Sequence, residues 1–202
     1  AVDAQGDIYF SYVCPMVLGD SHEACVWRLP AQGGSPTPHF ETGLSPSDVV
    51  LVRSPDRTLY GGQRALEGKD ERVQLWRLGT QPAEEVIPPS NDLTQFSVQT
   101  YAVADDGGIA FAQEDRLYRR QPDGQVELAL SEDLSRIRAI AWGPQGALMV
   151  LGGSDLYRLE ADSSVDKIAA GVRQKKPKNL PFKGGNIVFE MAVAADGTIY
   201  VA

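Results

Sequence analysis

Five times along this chain a tight turn leads into a strand of small, apolar and aromatic residues. The turns and strands read DAQGDIYFS, SPDRTLYGG, ADDGGIAFA, GPQGALMVL and AADGTIYVA. In four of the five units an aromatic–Arg strand follows: VWRL, LWRL, LYRR and LYRL. One such unit cannot bury its own apolar face, so the repetition dictates successive units packed on one another. Aligned on Gly6, Arg57, Gly107, Gly146 and Gly197, the units recur at intervals of about 51, 50, 39 and 51 residues.

Within each unit the strands are short, alternate with period 2 and favour β-branched or aromatic residues, as in DIYFSYV, RVQLWRL and DLYRLEA. Gly, Pro, Asp and Ser clusters separate them. The best helical window, around Ser131 to Ile140, is too short for three turns and runs into a strand-like AIAW. The expectation is an all-β chain, a β-propeller of four-stranded antiparallel blades. It divides at approximately 1–46, 47–96, 97–136, 137–186 and a partial 187–202.

Labelling the strands of a blade A to D from the axis outward, small residues occupy one position of the crowded strand A: Ala1, Val52, Ala102, Ala141 and Ala192. Strand B carries Ile8, Leu59, Ile109, Leu148 and Ile199 at a matching inter-blade position. Strand C carries Trp27, Trp76, Tyr118 and Tyr157, followed by Arg28, Arg77, Arg119 and Arg158. The rings are expected between blades, with the Arg stems along the outer face and their heads in water. A ring of four arginines that binds an anion is the other reading. Four units are complete and the fifth holds only strands A and B. Both ends carry the same strands and cannot complete one another, so the expectation is part of a longer ring or edges covered by a partner. A closed five-blade ring is the alternative. The absence of an initial Met implies upstream processing or excision.

The formal charge of −8 is spread over both signs, which argues against a general nucleic-acid binder, since that needs a basic stripe. No apolar run approaches a membrane span of about 20 residues, though tethering through a region outside this sequence is compatible with it. Cys14 and Cys25, the only cysteines, stand at the two stems of one hairpin loop, where a disulfide can form. That pairing implies an oxidising location: extracellular, periplasmic or cell-surface. Two separate buried thiols are the alternative. A zinc site with His22 and Glu23 lacks metal-ligand spacing.

The A–B and C–D turns are tight, whereas the B–C and D–A connections carry the insertions: Cys14–Cys25, Ala65–Arg72, Ile87–Phe96 and Gly171–Ile187. Those connections emerge on one face of a propeller, so binding is expected there. Asp20, His22 and Glu23 sit in one such loop, which reads as a titrating or metal-binding group or as a solvated loop. The segment EGKDER, with mixed signs at Glu67, Lys69, Asp70, Glu71 and Arg72, reads as solvated. VRQKKPKNLPFK concentrates Arg173, Lys175, Lys176, Lys178 and Lys183 with no acid among them, and suits an acidic protein surface or a polyanionic glycan. Phe182 beside it offers an anchoring aromatic. Asp48, Gln99, Arg138 and Glu190 fall near the loop ends of inner strands. They form either an axial site for a divalent cation or small ligand, or the polar lining of a channel. No other cofactor is expected. No GxSxG, HExxH, CxxC or P-loop occurs, and the chain has two histidines, His22 and His39.

AVAADGTIYVA, AVDAQGDIYFS and AVADDGGIAFAQEDRLYRRQPDGQV resemble NHL-repeat propellers and the related SMP-30/gluconolactonase-like and streptogramin-lyase-like propellers, and SPDRTLYGG resembles a strand pair of the lactonase-like members. The resemblance spans essentially the whole chain. It implies either of two functions. One is an exported, non-catalytic bacterial binding or sensor module with a protein or glycan ligand. The other is a fragment of a metal-dependent lactonase or of a lyase. The lactonase metal triad finds no match here, as Asn186 and Glu190 lie only near such positions.

Overall fold

The computed structural model describes residues 1–3, 5–13, 24–41, 49–67, 70–78, 83–98, 100–113, 115–130, 134, 136–160, 164–172, 191–194 and 196–201. It is all-β, with one 3-10 turn at Pro144–Gly146. The first sheet orders β1 (Ile8–Val13), β2 (Ala24–Leu29) and β3 (Thr37–Glu41), and Val2 bridges to Ile8 in the place of an inner strand. The second sheet holds β4 (Val49–Arg53), β5 (Leu59–Glu67), β6 (Asp70–Leu78) and β7 (Glu84–Ser90). The third holds β8 (Tyr101–Val103), β9 (Ile109–Gln113), β10 (Arg116–Arg120) and β11 (Val126–Leu130). The fourth holds β12 (Ile137–Trp142), β13 (Leu148–Gly152), β14 (Asp155–Leu159) and β15 (Val165–Ala169). β16 (Met191–Val193) and β17 (Ile199–Val201) form a two-stranded fifth sheet. All pairings are antiparallel, and β4, β8, β12 and β16 neighbour one another in succession, as the inner strands of propeller blades do.

One left-handed residue closes every A–B corner. Gly6, Arg57, Gly107, Gly146 and Gly197 all have positive φ, from 72° to 86°. At four corners the amide of this residue donates to the carbonyl three residues earlier, as in Gly107 to Ala104 at 3.0 Å and Arg57 to Ser54 at 2.9 Å. Aspartates complete the corners: Asp3, Asp56, Asp106 and Asp196 each accept a nearby backbone N–H through Oδ1. This is a three-residue hairpin connection ending in a left-handed residue, which glycine fills without steric cost.

The core lies between the sheets. One cluster joins Tyr9 and Val26 of the first sheet to Leu59, Trp76 and Leu78 of the second. The next joins Tyr60 and Leu75 to Tyr101, Ile109 and Phe111. The third joins Ala110 and Leu117 to Ile140, Leu148 and Val150. Trp76, Tyr118 and Tyr157 each pack toward the preceding blade, as expected of the strand-C aromatics. The following arginines keep much of their side chains in water, 45%, 41% and 43% exposed at Arg28, Arg77 and Arg158, and each also has a partner. Arg28 pairs with Asp7, Arg77 with Glu84 at 3.2 Å, and Arg158 with Glu160 and Asp166. Arg119 lies 5.6 Å over the Trp142 ring. Each guanidinium is engaged in its own or the next blade, so the four do not gather on an anion.

Two insertions differ from their reading as loops. Ala65–Arg72 is the tip of a hairpin, because β5 and β6 stay paired to Glu67 and Asp70 and Arg64 Nε bonds Glu71 at 2.7 Å. Ile87–Phe96 begins inside β7 and ends in the core. Phe96 is fully buried and meets the Tyr101 and Phe111 rings edge-on at 5.1 and 6.1 Å. The glycines of LYGG have a related explanation. A Cβ on Gly62 would stand 3.0 Å from the Tyr101 ring, whose hydroxyl donates to the Val50 carbonyl at 2.7 Å.

Candidate functional site

Antiparallel order puts the B–C and D–A connections at one end of the sheets. Val13 and Ala24 face each other there, as do Val49 and Gln63, and β3 leaves from Glu41 beside Cys25. Asp20, His22, Glu23, Arg173, Lys175, Lys176, Lys178, Phe182 and Lys183 lie outside the described residues, as do Cys14, Asp48, Gln99 and Glu190. Cys25 is placed in β2, its backbone opposite Tyr12 and Glu41.

What the structure supplies is the frame on which the basic segment is mounted. The Asp155 carboxylate, at the start of β14, accepts from Lys167 Nζ at 2.5 Å and from the Gly171 N–H at 3.1 Å. Those two contacts hold the carboxyl below its usual range, the lysine contributing most. Gly171 takes φ 69°, and the Val172 N–H then donates to the Ser154 carbonyl at 2.7 Å. Val172 packs with Leu151, Leu156, Met191 and Ile199 between the fourth and fifth sheets. Residues 173–190 therefore depart from an outer strand pinned at the loop end and re-enter the inner strand β16 at Met191.

Of the axial group, Arg138 is described. It is exposed, on β12, at an irregularity where Ile137 pairs with Gly152 and Ala139 with Leu151. A bulge at the end of an inner strand re-aims its side chain. The Thr100 hydroxyl, at the head of the neighbouring inner strand, reaches the Arg138 carbonyl at 3.5 Å. Asp48 and Glu190 directly precede β4 and β16, so their chain positions match the loop ends of inner strands.

Polar features absent from the sequence reading sit deeper. Gln63 and Gln74 are cross-strand partners, both fully buried, with Gln74 Nε2 donating to Gln63 Oε1 at 3.3 Å. Among the described residues the Gln63 amide nitrogen has no acceptor. Alternation alone marks these two, as polar residues on the face that carries Trp76 and Leu78. In the first sheet, buried Asp7 accepts from the Ala31 N–H at 2.8 Å and from Arg28 Nε at 2.6 Å. The Ala31 amide first, and Arg28 second, hold the Asp7 carboxyl below its ordinary range. Beside it, burial pushes Tyr9 up to about 12, while burial and then Arg28 lower His39, whose ring meets Tyr9 edge-on at 5.1 Å. The aspartates of the opposite end are spent on turn amides. Among the described residues no group of three or more His, Cys, Asp or Glu converges on a metal position. No described helix is long and apolar enough to cross a membrane.

No protein-family model matches the sequence, and no curated protein does. Solved structures do match. The streptogramin B lyase structure superposes with TM-score 0.53 at 14% identity, over 100% of this chain and 74% of that one. TolB from Acinetobacter baumannii gives 0.59 at 16%, over 96% and 46%. The extracellular domain of BT4673 from B. thetaiotaomicron gives 0.54 at 17%, over 98% and 25%. The chain thus spans less than half of the last two. Such identities speak for backbone architecture alone, and together with the sheet order they make this chain a β-propeller.

Proposed function

We propose that this propeller is a non-catalytic binding module of the NHL-like kind, exported from a bacterium, which captures an anionic ligand, a polyanionic glycan or an acidic protein surface, on its long-connection face. The observation that carries the reading is the mounting of residues 173–190. A run of five cations leaves from a point fastened by Asp155, Ser154 and Gly171 and returns to an inner strand. The segment links the outer edge of one sheet to the inner strand of the next, and in a chain of net charge −8 its five cations are locally distinct. Propeller likeness to an extracellular domain of BT4673 is compatible with such a role, and a Cys14–Cys25 disulfide would fit the same export.

Heparin, as a sulfated glycan, is the probe. The chain should be retained at low salt, and Lys175→Ala, Lys176→Ala and Lys178→Ala together should abolish retention. Retention unchanged by the triple substitution removes the basic segment from the reading. The alternative, a fragment of a metal-dependent lactonase or a lyase, rests on Asp48 and Glu190, which directly precede β4 and β16 in the chain. It requires a divalent ion to bind with loss on Asp48→Asn or Glu190→Gln.

A further inference from the structure

The four strand-C arginines hold one position of the repeat, so the partners that each finds can be compared directly. Arg28 donates through Nε to Asp7 Oδ2 at 2.6 Å. Arg77 meets Glu84 at 3.2 Å and donates to the Tyr60 hydroxyl at 3.3 Å. Arg158 meets Glu160 at 2.6 Å and Asp166 at 3.4 Å. Glu84 and Asp166 stand directly across from their arginines on the outer strand, and Glu127 stands across from Arg119 in the same way. Glu127, however, is exposed and accepts from Gln121 Nε2 at 2.8 Å. Arg119 turns instead to the next blade, over the Trp142 ring, and meets no carboxylate among the described residues. Ala110 stands opposite it on β9, so no hydroxyl replaces the Tyr60 contact.

This seat is particular to the seam between the third and fourth blades. Trp142 lies four residues before its corner, at the place held by Val2, Arg53, Val103 and Val193 in the other units. Large meets small in both versions of the seam: Tyr60 packs with Val103, and Ala110 shares a cluster with Trp142. A guanidinium is donor throughout, and an indole nitrogen is a donor alone. Arg119 Nε and Trp142 Nε1 are buried without an acceptor among the described residues, and the Arg119 Nη nitrogens are not shut in with them. Contact with the ring spends none of these N–H groups.

We infer that Arg119, seated on Trp142, is a binding site for a carboxylate group, which takes the place that Glu84 and Asp166 hold in the sister blades. Those blades define the chemistry, because the same guanidinium at the same register meets a carboxylate there. A guanidinium can give such a group two parallel N–H bonds. β10 ends at a C–D turn and β12 at an A–B corner, so the site opens at the end of the sheets opposite the B–C and D–A connections.

Acetate is the probe, against chloride at the same ionic strength, on the whole chain labelled with nitrogen-15. The Arg119 Nε–H and Trp142 Nε1–H resonances should shift saturably, with half-saturation in the millimolar range, and chloride should leave them in place. Arg119→Lys keeps the charge without the fork and should weaken the Trp142 response several-fold, and Arg119→Gln should abolish it. An unchanged Trp142 signal in the ligand-free variants reports that the seam is still folded. Lys175→Ala, Lys176→Ala and Lys178→Ala together should leave the response intact, which separates this site from the basic segment. Tighter binding of a capped glutamate-containing tripeptide than of acetate assigns the carboxylate to an acidic side chain of a polypeptide, and binding no tighter assigns it to a small organic acid. No saturable shift, an equal response to chloride, or a response that persists in Arg119→Gln overturns the site. A response that appears only in Glu127→Gln shows that Glu127 itself occupies Arg119, and equally overturns it.

Discussion

Arg57 is the one residue other than glycine with positive φ among the described residues, and it occupies the corner that glycine fills in four other units. Its φ of 72° lies in the left-handed region, which costs an L-residue roughly 1–2 kcal/mol. Glycine escapes that cost but loses about 0.5–1 kcal/mol through its freer unfolded chain. Arg57→Gly should therefore stabilise the fold by about 0.5–1 kcal/mol. The backbone bonds of the corner, Arg57 N–H to Ser54 and Ser54 N–H to Thr58, persist in the variant. The mirror experiment is Gly107→Ala, at φ 84°, where an added Cβ meets no atom within 4 Å. With no clash, its loss of about 0.5–1 kcal/mol measures backbone conformation alone. For a chain of this size the two shifts amount to about 1–4 °C in Tm, of opposite sign. Thermal melts read this, with urea titrations of unchanged slope as a check. Shifts of the same sign, or a neutral Gly107→Ala, would refute the idea that one left-handed corner is repeated in every unit.

Gly62→Ala should cost about 1–3 kcal/mol in urea unfolding, because Tyr101 stands against it and cannot retreat without releasing the Val50 carbonyl. A variant as stable as the parent would show that the ring gives way freely. Tyr101→Phe removes the hydroxyl that donates to the part-buried Val50 carbonyl and should cost about 0.5–1.5 kcal/mol, and an unchanged urea midpoint would remove the bond from the account. Acid unfolding should show two stages, one from His39 and a more acidic one from lowered carboxyls such as Asp7 and Asp155. His39 is held below 6.5 in the folded state, so its share is complete above that pH and is lost as pH falls through the folded value. Asp7 is held below 3.8, so its share is lost only at lower pH. His39→Phe should flatten stability just below pH 6.5 and leave the more acidic fall, and an unchanged profile counts against His39 as the source.

The blade was legible because each unit repeats its local instructions. DAQGD, SPDRT, ADDGG and AADGT carry both the residue for the left-handed corner and, in Asp3, Asp56, Asp106 and Asp196, the side chain that ties its amides. The aromatic–Arg pair gave the strand and a place between blades for its ring, while the direction, toward the preceding blade, came from the packing. The loop reading of Ala65–Arg72 did not hold, and that of Ile87–Phe96 held only beyond Ser90, where β7 ends. EGKDER has the composition of a solvated loop, yet its backbone continues a ladder. Phe96 stands among polar residues in the sequence, and only Tyr101 and Phe111, from the next blade, make it core. Of the candidate site, the residues expected to bind fall outside the described ones, and the structure contributes the anchored strand ends that carry them.

Sequence by itself determined the period, the strand order within a blade and the corner chemistry, since those depend on neighbours along the chain. Tertiary structure decided which carboxylates the arginines meet and why Gly62 must lack a side chain. The physical reason is that these outcomes depend on groups that folding brings together from distant points of the chain, within one blade for the ion pairs and from the next blade for Gly62.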